Sequence, residues 1–199
     1  MHEFFETIRI EDGEVRNIEW HQKRCERTLA HFGSKERLDL AGAIEPPESK
    51  GLFRCKVVYT PQKIVDVFYY PYRKRSVRSL KLVEANELEY SFKYLDRSGI
   101  DALFAKRGEC DEIVMIKNGL LADTSIANIA FFDGKRWLTP AKPLLEGTTR
   151  ARYIEEKKLT PAEIRPDMLH SFSKIALLNA MIDFDIMPIR DLKKDKILC

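Results

Sequence analysis

The sequence lacks closely spaced cysteines. Its four, Cys25, Cys55, Cys110 and Cys199, stand far apart and form none of the short Cys or Cys/His pairings that zinc or redox chemistry needs. Reduced thiols in a cytoplasmic protein, with no metal centre, are therefore the expectation. Also missing is an apolar run of membrane-spanning length, so no membrane association is expected. The opening MHEFFETIRI is too acidic and too short in apolar residues for a signal peptide. Neither sign of charge is in excess. Lys and Arg number 34 against 31 Asp and Glu, and a net charge of +3 is too mild to imply a nucleic-acid partner. The basic clusters at 73–75 and 193–196 read as solvated surface. No internal repeat is present.

What remains is an ordinary globular composition. With 199 residues, 44% of them hydrophobic, the chain can build a sizeable core as one domain or two small ones. FFETIRIEDGEVRNI reads as a hairpin turning at Asp12-Gly13. EWHQKRCERTLAHFG has helical spacing, with Trp20, Cys25, Leu29 and Phe32 on one face and Gly33 as the stop. GLFRCKVVYTPQKIVDVFYY predicts two strands with a turn near Pro61-Gln62. The polar, proline-opened PYRKRS predicts a linker.

Beyond the linker, SVRSLKLVEA predicts a strand and residues 96–107 a helix. Two further strands follow, DEIVMIKNG and IANIAFFDGKRWLTP, then helical stretches after Gly147 and Pro166, and a final strand KIALLNAMIDFDIMPI. The result is an α+β chain in two lobes, a small α/β lobe at 1–72 and a larger one at 77–199, joined by residues 73–76.

Several residues carry chemical interest. The polar cluster Asp123, Thr124 and Ser125 interrupts a strand-like run that resumes after Asn128. Gly147, Thr148 and Thr149 stand directly before a helical run, where unpaired N–H groups and hydroxyls can meet an anion. Alone, such a triplet most often only caps a helix. The amides of Ile126 and Ala127 beside Ser125 offer similar donors. Arg24 on the first helix could give a phosphate a bidentate contact. Lys93 lies among Tyr90, Phe92, Tyr94 and Leu95, where an ammonium is costly unless paired or depressed in pKa. The plain alternatives are a snorkelling Lys93 and a surface Arg24. Schiff-base chemistry with pyridoxal phosphate requires an amine, a phosphate cradle and an acid for the pyridine nitrogen. One candidate for each is present.

Five ordered motifs carry a resemblance over nearly the whole chain. FETIRIEDGEVRNIEWHQKR resembles an opening hairpin followed by His-x-x-Arg, and FKYLDR resembles Lys-x-x-(Asn/Asp)-Arg. DEIVMIKNGLLADTSIANIAFFDGKRWLTP resembles a strand pair with an acid and an Asn, LLEGTTR resembles Leu-x-Gly-x-x-Arg, and LLNAMIDFDIMPI resembles a closing strand. Together they resemble the class IV, D-amino-acid-transferase-like pyridoxal-phosphate enzymes, and within them the aminodeoxychorismate lyase branch.

The resemblance implies that family's two-lobed fold, with the cofactor bound to the larger C-terminal lobe, and a homodimer acting on a small-molecule substrate. It assigns Lys93 as the Schiff-base lysine and proton carrier, and Arg24 as a phosphate ligand. Ile126 and Ala127, by their amides, with Thr148 and Thr149, complete the cradle. Asp123 takes the place of the family's usual glutamate against the pyridine nitrogen. Phe5 and Thr7 fall where the first strand lines the substrate pocket, and Asn179 and Ala180 fall on a loop near it. The chain starts almost at the first hairpin, without the leading strand of longer members. It thus resembles a short lyase domain, in which the shortening either opens the active site or leaves more of its wall to a partner subunit.

The activity so implied is conversion of 4-amino-4-deoxychorismate to 4-aminobenzoate and pyruvate, in folate synthesis. The rival is a class IV aminotransferase acting on branched-chain or D-amino acids. A third reading is a pyridoxal-phosphate-binding protein without turnover.

Overall fold

The first turn follows its residue chemistry. Asp12 and Gly13 both take positive φ, 51° and 85°, the left-handed pair that a two-residue hairpin with native twist demands. They join strand β1 (Phe4–Glu11) to β2 (Glu14–Val15). The computed structural model describes residues 2–193 and 195–199. Lys194, inside the basic 193–196 cluster, lies outside the described residues, as does Met1 of the opening segment. The chain divides into two units, Met1–Lys74 with Phe92–Asp96, and Arg75–Ser91 with Arg97–Cys199.

In the first unit, β1, β2, β3 (Leu52–Tyr59) and β4 (Ile64–Pro71) form an antiparallel sheet in the order β2-β1-β3-β4. Alternation along β1 sends Phe4, Ile8 and Ile10 to one face, into a core with Cys25, Leu29, Cys55, Val57 and Tyr59. Helix α1 (Ile18–His31) supplies the other side of that core, but with a face rotated from the expected one. Its buried residues are His21, Arg24, Cys25, Thr28 and Leu29, while Trp20 and Phe32 are half-buried. An acid on the facing strand draws the polar members inward, as described below. The segment Phe92–Asp96 runs beside the start of β1, with Phe5 N donating to Lys93 O at 3.0 Å and Leu95 N to Glu3 O at 2.8 Å. Phe92 and Tyr94 add their rings to the cluster around Phe4 and Phe32.

The second unit is built on a mixed sheet that has ten strands among the described residues. β5 (Ser79–Glu84) lies parallel to β6 (Glu112–Lys117), and their connection includes helix α2 (Ser98–Ala105). Asn118-Gly119, both at positive φ, turns β6 into β7 (Leu120–Thr124). The segment expected as one strand after Asn128 is a hairpin, β8 (Asn128–Phe132) and β9 (Trp137–Pro140), because Gly134 takes φ 95°. α3 (Thr148–Glu155) follows, then β10 (Thr160–Ala162) and a single 3₁₀ stretch at Pro166–Ser171. The expected final strand is likewise two, β11 (Lys174–Asn179) and β12 (Asp183–Pro188), with Asp183 at φ 54°. β13 (Asp191–Lys193) and β14 (Lys196–Leu198) close the sheet beside β5. No helix among the described residues is long and apolar enough to cross a membrane.

β8 and β11 explain why their sequences read as unbroken apolar runs. Ile129, Phe131, Ile175 and Leu177 enter one core, and Ala130, Ala176 and Leu178 enter another on the opposite face. Phe131 is fully buried with its ring centroid 5.2 Å from that of Phe172. Phe131→Ala is expected to destabilise the protein by about 3–5 kcal/mol, read as a lowered urea midpoint, and an unchanged midpoint would contradict this core assignment.

Candidate active site

Glu6 occupies a core-facing register of β1 between Phe4 and Ile8 and is completely buried. An isolated carboxylate there would be very costly, so partners are obligatory. α1 provides them from two residues one turn apart. Arg24 Nε donates to Glu6 Oε1 at 2.9 Å, Arg24 Nη2 donates to Oε2, and His21 Nδ1 lies 2.6 Å from the same Oε2. Burial pulls the Glu6 pKa upward, but the Arg24 charge and the His21 hydrogen bond outweigh it and bring it down to about 2. Burial lowers the His21 pKa against the pull of Glu6. His21 is therefore neutral at pH 7, with the proton on Nδ1 facing the carboxylate. Arg24, expected as a phosphate ligand, is a buried guanidinium whose orientation Glu6 sets. Glu6 was missed in the sequence, although an acid at an apolar register of FFETIRI, opposite His-x-x-Arg, was a usable signal.

The other face of β1 carries Phe5, Thr7 and Arg9. Lys93 Nζ sits 4.5 Å from the centre of the Phe5 ring, a cation–π contact held in place by the Phe5–Lys93 backbone bond. The first unit thus unites Lys93 with Phe5 and with the strand face that bears Thr7, while Arg24 lies on the helix-facing side of the same strand.

In the second unit, Asp123 and Asn128 pair across the end of the β7–β8 hairpin. Asp123 is buried. Its Oδ1 accepts from Asn128 Nδ2 at 2.7 Å and its Oδ2 accepts from Leu145 N at 2.9 Å. Burial raises its pKa to about 6 despite those two bonds and the nearby Arg150 charge. Each oxygen keeps a further lone pair for a third donor.

The turn between these two residues satisfies itself through Thr124. Its Oγ1 accepts from Ala127 N at 3.0 Å and weakly from Ile126 N at 3.4 Å, and donates to Ala127 O at 3.0 Å. Both amides expected to meet a phosphate therefore already share a hydroxyl acceptor. Arg97, the last residue of FKYLDR, donates to Ser125 O at 2.8 Å. Asn179 Nδ2 donates to Ile126 O at 3.1 Å, while its Oδ1 accepts from Met181 N and Ile182 N. Asn179, with Ala180 in its turn, is thus brought against the Ile126 loop.

Asn128 Nδ2 also donates to Leu145 O at 2.8 Å, drawing the approach to α3 against β8. A Cβ on Gly147 would lie 1.9 Å from Asn128 Oδ1, so glycine is required by this close approach. Gly147 is the N-cap of α3 and no side chain caps it. The first turn therefore presents amides beside the buried Thr148 and Thr149, a donor set suited to an anion. Arg150 Nη2 donates to Pro140 O, and its Nε is buried with no partner among the described residues.

Taken unit by unit, the chemistry of these groups is that which a phosphorylated aromatic aldehyde requires. In the second unit, the α3 start and its two hydroxyls suit a phosphate and Asp123 suits a ring nitrogen; in the first unit, Lys93 supplies an amine. The Ile126 and Ala127 amides fit only if a phosphate oxygen shares them with Thr124. Each unit holds part of this set. No cluster of metal-ligating side chains occurs among the described residues.

Glu6→Gln leaves Arg24 buried without its counter-charge and is expected to cost about 3–5 kcal/mol of stability at pH 7. Because the folded pKa of Glu6 lies below its ordinary value, this contribution is present above about pH 4.5 and is lost as pH falls towards about 2. Urea titrations of both proteins should converge over that window, and a gap that is absent or independent of pH would refute the pairing.

The chain matches the amino-transferase class IV family over residues 66–192. It is 38% identical over 186 residues to an uncharacterized protein of Haemophilus influenzae, covering 91% of this chain and 98% of that one. A crystal structure of a candidate 4-amino-4-deoxychorismate lyase from Haemophilus somnus 129pt is similar with a TM-score of 0.82 and 38% identity, over 91% of this chain and 97% of that chain. A hypothetical aminotransferase from Mycobacterium tuberculosis in its PLP-bound form shares the fold, with a TM-score of 0.78 and 17% identity over 94% and 80% of the two chains. With the family matched over more than half its length and a relative at this identity over nine-tenths of it, the chain belongs to the amino-transferase class IV family.

Proposed function

We propose that the protein is a pyridoxal-phosphate-dependent lyase that converts 4-amino-4-deoxychorismate to 4-aminobenzoate and pyruvate, as a cytoplasmic homodimer serving folate synthesis. The observation that carries this reading is Lys93, an amine set on the ring of Phe5 beside the strand face of Thr7. The similarity to the Haemophilus somnus candidate lyase supports the choice of reaction.

Bound pyridoxal phosphate supplies an aldehyde carbon for amines and a ring that accepts electrons. Thr148, Thr149 and the first amides of α3 would hold its phosphate, joined by the Ile126 and Ala127 amides and by the charge of Arg24. Asp123, as a carboxylate, would keep a proton on the ring nitrogen, and Asn128 and Leu145 N hold the carboxylate in place for it. Lys93 would hold the cofactor and, once free, would take the proton from the amine-bearing ring carbon as general base. The departing enolpyruvyl group would receive a proton at its methylene carbon from Lys93 or a neighbour to become pyruvate, and aromatisation of the remaining ring would make the reaction effectively irreversible. Phe5 and Thr7 line the substrate side, with Asn179 and Ala180 near it.

A second reading, an aminotransferase for branched-chain or D-amino acids, is favoured by Asp123. A transaminase depends more heavily on a protonated ring nitrogen, and this acid is firmly held by two hydrogen bonds. Protein supplied with pyridoxal phosphate, chorismate, an amine source and aminodeoxychorismate synthase should release 4-aminobenzoate. Absence of that product together with amino-group transfer to 2-oxoglutarate would select the aminotransferase. Asp123→Asn should lower lyase turnover on the order of ten- to a hundred-fold while the apo-protein still takes up cofactor, and full turnover would remove Asp123 from contact with the ring.

A further inference from the structure

Two side chains grip the loop between β7 and β8, each at the carbonyl end of a peptide unit whose N–H end is a candidate anion donor. A planar peptide unit joins one residue's C=O to the next residue's N–H. Arg97 Nη2 donates to Ser125 O at 2.8 Å, and the N–H of that same unit belongs to Ile126. Asn179 Nδ2 donates to Ile126 O at 3.1 Å, and the N–H of that unit belongs to Ala127. All of these residues lie in the second unit. The Asn179 amide can turn only one way, because its Oδ1 already accepts from Met181 N and Ile182 N, which leaves Nδ2 facing the loop.

Hydrogen bonds in series polarise one another. A donor on the C=O of an amide makes its N–H a stronger donor, and a charged donor does so most. Ile126 gains more than Ala127. Its N–H meets Thr124 Oγ1 only at 3.4 Å, against 3.0 Å for the Ala127 N–H, so the less engaged amide is the one whose peptide unit carries the guanidinium. Asp101 Oδ1 lies 3.8 Å from Arg97 Nη2 on a largely exposed side chain, a pairing that neutralises little. Behind the loop, Ser125 N donates to Glu112 Oε1 at 3.3 Å, and Arg75 Nη2 donates to Glu112 Oε2 at 2.8 Å. That buried acid thus has a counter-charge of its own and does not cancel the charge of Arg97.

We infer that Arg97, assisted by Asn179, is a positioning residue for the cofactor phosphate, acting through the peptide units of the Ser125–Ala127 turn and not by touching the anion. The inference rests on the reading that the Ile126 and Ala127 amides meet that phosphate. It divides the motif FKYLDR between two tasks: Lys93 takes the aldehyde, and Arg97 fixes and strengthens the donors for the phosphate. A neutral donor in the place of Arg97 would hold the loop without that gain in donor strength.

The test uses the apo-protein with pyridoxamine phosphate and with pyridoxamine. The two ligands differ only by the phosphate and form no Schiff base with Lys93, so calorimetry reads the phosphate contacts apart from the lysine chemistry. Arg97→Gln keeps a neutral donor and removes the charge, whereas Arg97→Lys keeps the charge. Arg97→Gln should weaken binding of pyridoxamine phosphate about tenfold, the order of what charge adds to a hydrogen bond, while pyridoxamine binding and the urea midpoint change little. Arg97→Lys should recover most of the loss. Asn179→Asp keeps the acceptor for the Met181 and Ile182 amides but places an acceptor against Ile126 O, and it should weaken the phosphorylated ligand by about tenfold or more.

Equal binding of pyridoxamine phosphate by wild type and Arg97→Gln would overturn the inference, and would leave the wild-type preference for the phosphorylated ligand to Thr148 and Thr149. Equal loss of both ligands, or the same loss in Arg97→Lys as in Arg97→Gln, would overturn it by reducing Arg97 to a structural tie. Should Arg97→Gln not fold, Asn179→Asp decides: a loss confined to the phosphorylated ligand upholds the device, and unchanged binding overturns it. A wild type that binds both ligands alike would reject the phosphate reading of the loop, and this inference with it.

Discussion

The carboxylate of Asp123 is the constraint around which the second unit's candidate site is arranged. It is buried, so it must be satisfied, and its two donors come from different parts of the chain, Asn128 on β8 and the amide of Leu145 before α3. Asn128 returns a bond to Leu145 O. This three-way clasp brings the end of the β7–β8 hairpin against the approach to α3. Gly147 follows as a steric consequence, since Asn128 occupies the space a side chain would need. The uncapped start of α3, with Thr148 and Thr149, follows directly after this contact.

A parallel device operates in the first unit. Glu6 is as buried as Asp123, yet the two acids move in opposite directions, to about 2 and about 6. The difference is the partner. A direct bidentate arginine more than offsets the burial of Glu6, whereas neutral donors and a more distant Arg150 offset only part of the burial of Asp123. Glu6 is therefore a fixed charge that orients Arg24. Asp123 is poised so that a positively charged ring nitrogen would complete its ionisation.

Much of this was legible in sequence, and for identifiable reasons. Asp12-Gly13 marks its hairpin because few residues accept that backbone. Val114, Ile129, Phe131 and their neighbours mark buried strands because both sheet faces are covered. The polar break at Asp123 and Thr124 stands out because burial elsewhere in that run is uniform. The α1 face was read from apolar residues alone. Its true face includes His21 and Arg24, because their partner Glu6 lies on a strand fifteen or more residues earlier, and pairwise charge compensation leaves no periodic signal. The β11–β12 turn was hidden because Asn179 makes it with its own side chain, bonding the Met181 and Ile182 amides, in place of a Gly or Pro. Capture of the Ile126 and Ala127 amides by Thr124 is a local hydroxyl geometry that composition does not encode. Nor does linear order reveal that the segment bearing Lys93 joins β1, since its link is two backbone hydrogen bonds to Glu3 and Phe5.

The central claim is that Lys93 is the amine that takes the cofactor. Borohydride reduction of the protein loaded with pyridoxal phosphate, followed by proteolysis and mass spectrometry, tests it most directly. The predicted result is loss of the visible absorbance band and a single reduced pyridoxyl adduct on the peptide that contains Lys93. An adduct on Lys56 or any other lysine in its place, or no adduct after full loading, would contradict the account.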